Sequence, residues 1–242
     1  MLQLALIGLV AGLFSALFGV GGGILVVPLL VLVARYGERE AAGTSLAAIG
    51  VTALAGTVAY GLLGRVHVGD GLLVGLPAAA GAVAGTALQQ RLPLRALALG
   101  FAALLVVVAG LLFFDAEPSL AAGGTAIAAL LGVAAGVLAG LFGVGGGILF
   151  VPTLVALGLS HLDAEATSLL AILPTVAAGA WRQERYGNLR RVPALAIGVA
   201  SLPGVAVGVA LAESVPEETL QRLFALLMVG VAAQIAWRAR RK

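Results

Sequence analysis

The feature that most constrains this chain is a ladder of apolar blocks broken only by short charged segments. The blocks run over residues 2–34, 41–64, 71–90, 96–114, 118–160, 166–181, 192–212 and 223–237. A helix needs about 20 apolar residues to cross a bilayer, so most blocks fit one crossing, while 2–34 and 118–160 are too long for one. Apolar residues make up 61% of the chain and charged ones 10%, which excludes the soluble globular class. The expected fold is therefore an all-α polytopic membrane protein whose surroundings are a lipid bilayer. The basic residues flank the blocks, so the formal charge of +3 speaks for orientation in the membrane and against a nucleic-acid partner. Cysteine is absent, which removes disulfides and thiolate chemistry. The N-terminal stretch MLQLALIGLV has no positive flank and its block recurs mid-chain, so no cleaved leader is expected.

Both over-long blocks carry the same nine residues, LFGVGGGIL, at 17–25 and 141–149, each followed by Val-Pro at 27–28 and 151–152. Between 11–31 and 135–155, at an offset of 124, 15 of 21 positions are identical. At an offset of 123 the match continues: Thr44-Ser45-Leu46 with Thr167-Ser168-Leu169, Thr52 with Thr175, Gly81 with Gly204 and Gly85 with Gly208. One unit is duplicated within a single membrane domain. Repeat 1 spans 1–117, with a hairpin at 2–34 and spans at 41–64, 71–90 and 96–114. Repeat 2 spans 118–242, with a hairpin at 118–160 and spans at 166–181, 192–212 and 217–237.

Charge placement turns over between the halves. Repeat 1 has Arg35, Arg39, Arg91 and Arg95 in loops whose counterparts in repeat 2, at 161–165 and 213–218, hold no Arg or Lys. Repeat 2 places Arg182, Arg185, Arg190 and Arg191 in its middle loop and Arg238, Arg240, Arg241 and Lys242 at its tail. If each long block enters and leaves on one side, 12 of the 14 Arg and Lys fall on the cytoplasmic side, leaving Arg65 and Arg222 outside. One simple crossing per long block gives only 9 against 5. The hairpin reading is preferred: it makes the repeats inverted, each a re-entrant Gly-rich hairpin plus three transmembrane helices, with both termini cytoplasmic. A parallel four-plus-four bundle is the alternative.

A hairpin turning inside a membrane must satisfy its own backbone, because lipid offers no hydrogen-bond partner. Glycine supplies the positive φ and close approach that such a turn needs. Pro28 and Pro152 lack an N–H, which fits an early helical turn, so 24–34 and 148–158 read as half-helices starting near the bilayer interior. Their free N–H groups and positive dipole ends suit a small anion without any charged side chain. Inverted repeats bring two such turns together near the midplane, as in many secondary transporters. The binding candidates are Gly19, Gly21, Gly22 and Gly23 with Gly143, Gly145, Gly146 and Gly147; Pro28 and Pro152 are structural parts of the motif. The spaced glycines at 132/136/140, 81/85 and 204/208 read as close helix packing instead. Neither cluster ends in the Lys-Ser/Thr of a nucleotide loop.

No Lys, Arg or carboxylate lies well inside a span, which argues against a carboxylate relay. Ser45 and Thr52 are seven residues apart on one helix face, Ser168 and Thr175 repeat the spacing, and Thr44 and Thr167 precede them. These hydroxyls either donate to the anion or bond back to a carbonyl one turn earlier, and the sequence leaves both open. Gln183 stands where repeat 1 has Tyr60, so the site need not be symmetric. Gln89 and Gln90 are expected at the cytoplasmic edge beside Arg91. Asp70, Asp163 and Glu165 are expected as solvated loop charges that cap helices, with His67 and His161 in short external loops. Trp181 and Trp237 fit an interfacial belt.

The repeated Phe-Gly-Val-Gly-Gly-Gly followed by Val-Pro, with Thr-Ser in the next span, resembles the sulfite exporter TauE/SafE family over essentially the whole chain. The resemblance implies a transporter of small sulfur-containing anions: sulfite, sulfonates such as sulfoacetate, or related species. It points at the same glycines and at Pro28 and Pro152, and leaves open which anion is carried. No cofactor is expected, and no enzyme, since no span holds a Ser/His pair, paired aspartates or a metal-ligand cluster. An anion channel, a carrier of another small anion and a membrane scaffold are the rival readings; homodimerisation through a Gly-rich face stays open. One elementary charge crossing 100 mV is worth about 2.3 kcal/mol, about a 50-fold gradient. An anion therefore leaves a negative-inside cell without a coupling ion, and export across the cytoplasmic (inner) membrane is the expected direction.

Overall fold

The structure, a computed structural model, describes residues 1–113 and 124–241. Ten helices follow one another along these residues: α1 (Leu2–Phe18), α2 (Gly23–Leu32), α3 (Glu38–Leu62), α4 (Val68–Arg91), α5 (Leu94–Phe113), α6 (Gly124–Phe142), α7 (Gly147–Ala156), α8 (His161–Arg185), α9 (Arg191–Ser214) and α10 (Glu217–Arg241). No strand occurs among the described residues. Five helices are long and apolar enough to cross a membrane, namely α3, α4, α6, α8 and α9. The expected repeat boundary at 117/118, the first residues of the second expected hairpin and Lys242 lie outside the described residues.

Each over-long apolar block becomes two helices joined by a glycine turn. Gly19 ends α1 in the left-handed conformation, with φ +63°. From there α2 comes back along α1. A Cβ on Gly22 would lie 2.6 Å from the carbonyl oxygen of Ala11, whereas an uninterrupted helix would carry residue 22 about 16 Å past residue 11. Ile7 and Ala11 of α1 accordingly share a buried cluster with Val26 and Leu30 of α2. In the second block a Cβ on Gly146 would lie 3.5 Å from the carbonyl of Ala135, so α7 returns along α6 in the same way.

The prolines sit deeper than expected. With α2 and α7 starting at Gly23 and Gly147, Pro28 and Pro152 are sixth residues, beyond the first turn. Each therefore removes an amide that the carbonyl of Ile24 or Ile148 would otherwise accept from. The expected half-helix start was one residue late because the last glycine of the turn is already helical.

The two hairpins pack on each other's repeat. Gly8 and Gly12 of α1 bring its backbone against the carbonyls of Ile197 and Ser201 on α9, while Gly204 and Gly208 of α9 meet Leu9 and Leu13 in return. At the equivalent positions Gly132 and Gly136 of α6 rest on Val74 and Ala78 of α4, and Gly81 and Gly85 of α4 on Val133 and Val137. Such close approach maximises dispersion contact where no hydrophobic drive exists between helices in lipid. Leu54, Val58, Leu76, Leu130, Leu195 and Val207 point outward, leaving an apolar surface suited to acyl chains.

Candidate functional site

Both glycine turns are made of backbone alone. Gly19, Gly21 and Gly22 have φ of +63°, +73° and +75°, and Gly143, Gly145 and Gly146 have +76°, +83° and +93°. At Gly22 and Gly146 the left-handed residue is the N-cap of a half-helix, and no side chain caps it. The amides of Leu25 and Val26 bond to Gly22 O, and those of Leu149 and Phe150 to Gly146 O. The amides before them, of Gly23 and Ile24 and of Gly147 and Ile148, have no main-chain acceptor among the described residues. Residues 19–23 and 143–147 are all buried, so these donors are withdrawn from water.

The two turns touch. A Cβ on Gly23 would lie 2.6 Å from Val144 Cα, and one on Gly147 2.5 Å from Val20 Cα. Ile49 of α3 and Ile172 of α8 close over both turns. A Cβ at Gly21 would sit 2.7 Å from Ile49 and 3.1 Å from Ile172, and one at Gly145 3.3 and 3.5 Å from the same two residues. Two half-helix N-termini, each the positive end of a dipole, thus meet inside an apolar shell.

The six predicted hydroxyls bond within the protein, in three symmetric pairs. Ser45 Oγ donates to Gly143 O at 2.9 Å, and Ser168 Oγ faces Gly19 O with Glu165 O as its second acceptor. Each serine thereby clamps the turn of the other repeat. Thr44 Oγ1 accepts from the amide of Arg190 at 3.2 Å and Thr167 Oγ1 from that of His67 at 3.0 Å, again across repeats, at the starts of α9 and α4. Thr52 and Thr175 face the carbonyls of Ala48 and Ala171, one turn back, at 3.3 and 3.1 Å. Thr52 also lies 2.8 Å from Ser201 Oγ, and because Ser201 donates to Gly198 O at 2.6 Å, Thr52 is the donor in that pair.

Just before each turn a buried side chain holds the last turn of the preceding helix. Tyr60 Oη donates to Ala16 O at 2.8 Å. On the other side Gln89 Nε2 donates to Leu141 O at 2.5 Å; Gln89 Oε1 accepts from Gln183 at 2.6 Å, and Gln183 Oε1 from Asn188 at 2.8 Å. One latch is a single phenol, the other a train of amides. The ends of the bundle also differ in charge. At one, Arg190 pairs with Glu40, Arg191 with Glu184 at 2.5 Å, and Arg39 donates to the carbonyls of Gln90 and Leu92 at 3.1 Å. At the other, Arg65 lies 3.6 Å from Asp163 and 3.7 Å from Glu213. No group of three or more His, Asp or Glu among the described residues is placed to hold a metal.

The family model of the sulfite exporter TauE/SafE proteins matches residues 4–160 and again 127–242. The chain belongs to the TauE/SafE family. It is 29% identical over 248 residues to a "Probable membrane transporter protein" of Xylella fastidiosa, covering 96% of this chain and 93% of that one. Two proteins of Bacillus subtilis are similarly related. One named "Probable membrane transporter protein YdhB" is 29% identical over 221 residues, covering 87% of this chain and 89% of the relative. Another, "Probable membrane transporter protein YunE", is 24% identical over 263 residues, covering 97% and 96%. No solved structure matches the chain.

Several residues of this TauE/SafE protein depart from the sequence reading. Glu165, expected as a solvated loop charge, is the fifth residue of α8 and only 9% exposed, and its backbone packs against Gly19. Gln89, expected at the membrane edge, is 2% exposed and bonded into the interior. Beside it a cavity of about 100 Å³ opens among Pro28, Ala42, Phe101, Phe142 and Gln234. The helix cap expected of Asp163 is made by Ser160, whose side chain accepts from the Asp163 amide at 3.2 Å. Ile49 and Ile172 were not singled out, although their identity at the repeat offset, between the serine and threonine of each span, was the available signal.

Proposed function

We propose that this transporter carries small sulfur-containing anions, sulfite or short sulfonates such as sulfoacetate, out of the cell across the cytoplasmic membrane. The observation that carries the reading is the pair of uncapped half-helix N-termini meeting in the buried centre. Four amides with no main-chain acceptor give an oxyanion what its hydration shell gave, and two dipole ends favour its charge. Family membership supports the substrate class. The potential of a negative-inside cell supports export, at about 2.3 kcal/mol per charge per 100 mV.

The two hairpins act as an inverted pair, with both termini and twelve of the fourteen cations cytoplasmic, Arg65 and Arg222 outside. The exchange of packing partners between repeats supports that arrangement. The turns are buried and in contact, which suits an occluded carrier better than an open pore. The test is flux of sulfite and sulfoacetate in proteoliposomes at clamped potential. Gly145→Ala is the informative variant: its φ of +83° strains an L-residue, yet its Cβ meets only the side chains of Ile49 and Ile172, at 3.3 and 3.5 Å. Saturable flux with trans-stimulation, lost in a well-folded Gly145→Ala protein, is the expected result. Absence of flux for every sulfur oxyanion in folded wild-type protein contradicts the reading.

A further inference from the structure

The two glycine turns share one aliphatic cover. Ile49 of α3 and Ile172 of α8 stand at equivalent places, four residues after Ser45 and Ser168, and both are fully buried. A Cβ on Gly21 would meet Ile49 Cγ2 at 2.7 Å and Ile172 Cδ1 at 3.1 Å. One on Gly23 would meet Ile49 Cδ1 at 2.6 Å, and one on Gly145 the Cγ2 atoms of Ile49 and Ile172 at 3.3 and 3.5 Å. Both side chains thus reach both turns, and beside Gly21 and Gly23 there is no room for even one more carbon.

Donors without acceptors lie in the same buried centre. The amides of Gly23, Ile24, Gly147 and Ile148 have no main-chain acceptor among the described residues, and Gly23 is the residue against Ile49 Cδ1. Ser15 Oγ is fully buried and has no hydrogen-bond partner among the described residues. Ile7, Ala11 and Ser15 are four apart along α1. The first two share a cluster with Val26 and Leu30 of α2, and Ala11 O lies against Gly22, so Ser15 continues that face toward the turn. Repeat 2 has Ala139 at the equivalent place, equally buried, so packing there does not require a hydroxyl. Buried donors ordinarily find partners. An oxyanion would supply acceptors, but only where the isoleucines yield.

Resting on the anion-carrier reading above, we propose that Ile49 and Ile172 are the size filter of the site. The anion reaches the amides by taking the place of part of these side chains, and their bulk sets how large a group may accompany the sulfur-oxygen head. The filter is held at a fixed depth. A Cβ on Gly179 would lie 3.0 Å from Leu46 and one on Gly56 2.6 Å from Leu169, so α3 and α8 grip each other on either side of the isoleucines. A β-branched side chain in a helix has one strongly preferred χ1 rotamer, and a close-packed interior gives little. A bare oxyanion, or one carrying a methyl group, displaces least. Each further methylene competes with side-chain carbon that has nowhere else to go.

The experiment compares initial rates of methane-, ethane- and propanesulfonate in proteoliposomes, three probes with one head group and one charge at every working pH. The expected wild-type kcat/KM falls about tenfold with each added methylene. Ile49→Val and Ile172→Val each remove one carbon, among the mildest of core deletions, and raise the ratio of ethanesulfonate to methanesulfonate about tenfold. Ile197→Val removes the same carbon from an equally buried residue of α9, in a cluster apart from the other two, and leaves that ratio within about twofold. Should one filter variant fail to fold, the other, on the opposite repeat, carries the test. Wild-type flux with no dependence on chain length, or a ratio that the filter variants leave unchanged or that Ile197→Val moves as far, overturns this inference alone. No wild-type flux of methanesulfonate, sulfite or sulfoacetate overturns the anion reading and this with it.

Discussion

The turn at residues 19–23 and the turn at residues 143–147 share a backbone and differ in their neighbours. Each has three left-handed glycines, an uncapped half-helix and a serine clamp from the opposite repeat. Beyond that shell the first turn is latched by a phenol and packs on the backbone of Glu165, while the second is latched by three amides and packs on Ala42. What the halves share answers to geometry, because a chain reversing between packed helices needs glycine and a buried carbonyl needs a donor. Duplication makes one half the control for the other.

The shared framework should break hardest and equally in both halves. An alanine at Gly136 or at Gly12 would overlap the carbonyl of Ala78 or Ser201. Each substitution is expected to cost about 3 kcal/mol, read as thermal unfolding in detergent, with the two values alike. A large inequality would show that the α1–α9 and α4–α6 contacts are not energetic equivalents.

The latches should be unequal. Gln89→Leu leaves Leu141 O and Gln183 without their partner and is expected to cost about 2–3 kcal/mol, while Tyr60→Phe removes only the bond to Ala16 O, about 1 kcal/mol. Equal losses would mean that the amide train is not a connected unit. Ser45→Ala and Ser168→Ala each orphan one turn carbonyl, for about 1–2 kcal/mol and within about 0.5 kcal/mol of each other. At the small end, Gly61 of α3 has open space around it. Gly61→Ala should be neutral or stabilise by about 0.5–1 kcal/mol, separating glycines that pack from glycines that do not.

The repeat, the hairpin turns and the pairing of Ser45 with Ser168 are legible in the sequence because identical residues at a fixed offset must fill equivalent places. The glycine spacing at 132/136/140 and 204/208 likewise announces a close helix contact, though not that α6 would meet α4 and α1 would meet α9. Glu165 was misplaced for a definable reason: the apolar block begins at 166, whereas α8 begins at His161 and draws one more turn of charged sequence against the Gly19 turn. Gln89 was misplaced because its neighbour Arg91 is at the edge, yet 3.6-residue periodicity turns residue 89 inward. Pro28 and Pro152 sit one residue deeper in their helices than expected because a glycine, counted as turn, is the first helical residue. In each case the missing information is which neighbouring helix lies against a face, and only tertiary contact supplies it.

The most direct measurement is at the amides themselves. Protein labelled with 15N-glycine, in lipid nanodiscs, would be titrated with sulfite while glycine amide resonances are followed, assigned by single substitution. Saturable shifts at Gly23 and Gly147, with Gly37 and Gly69 unmoved as glycines in open space, are the predicted result. Sulfite transport by the same preparation with Gly23 and Gly147 unmoved would contradict the claim that the paired half-helix N-termini hold the anion.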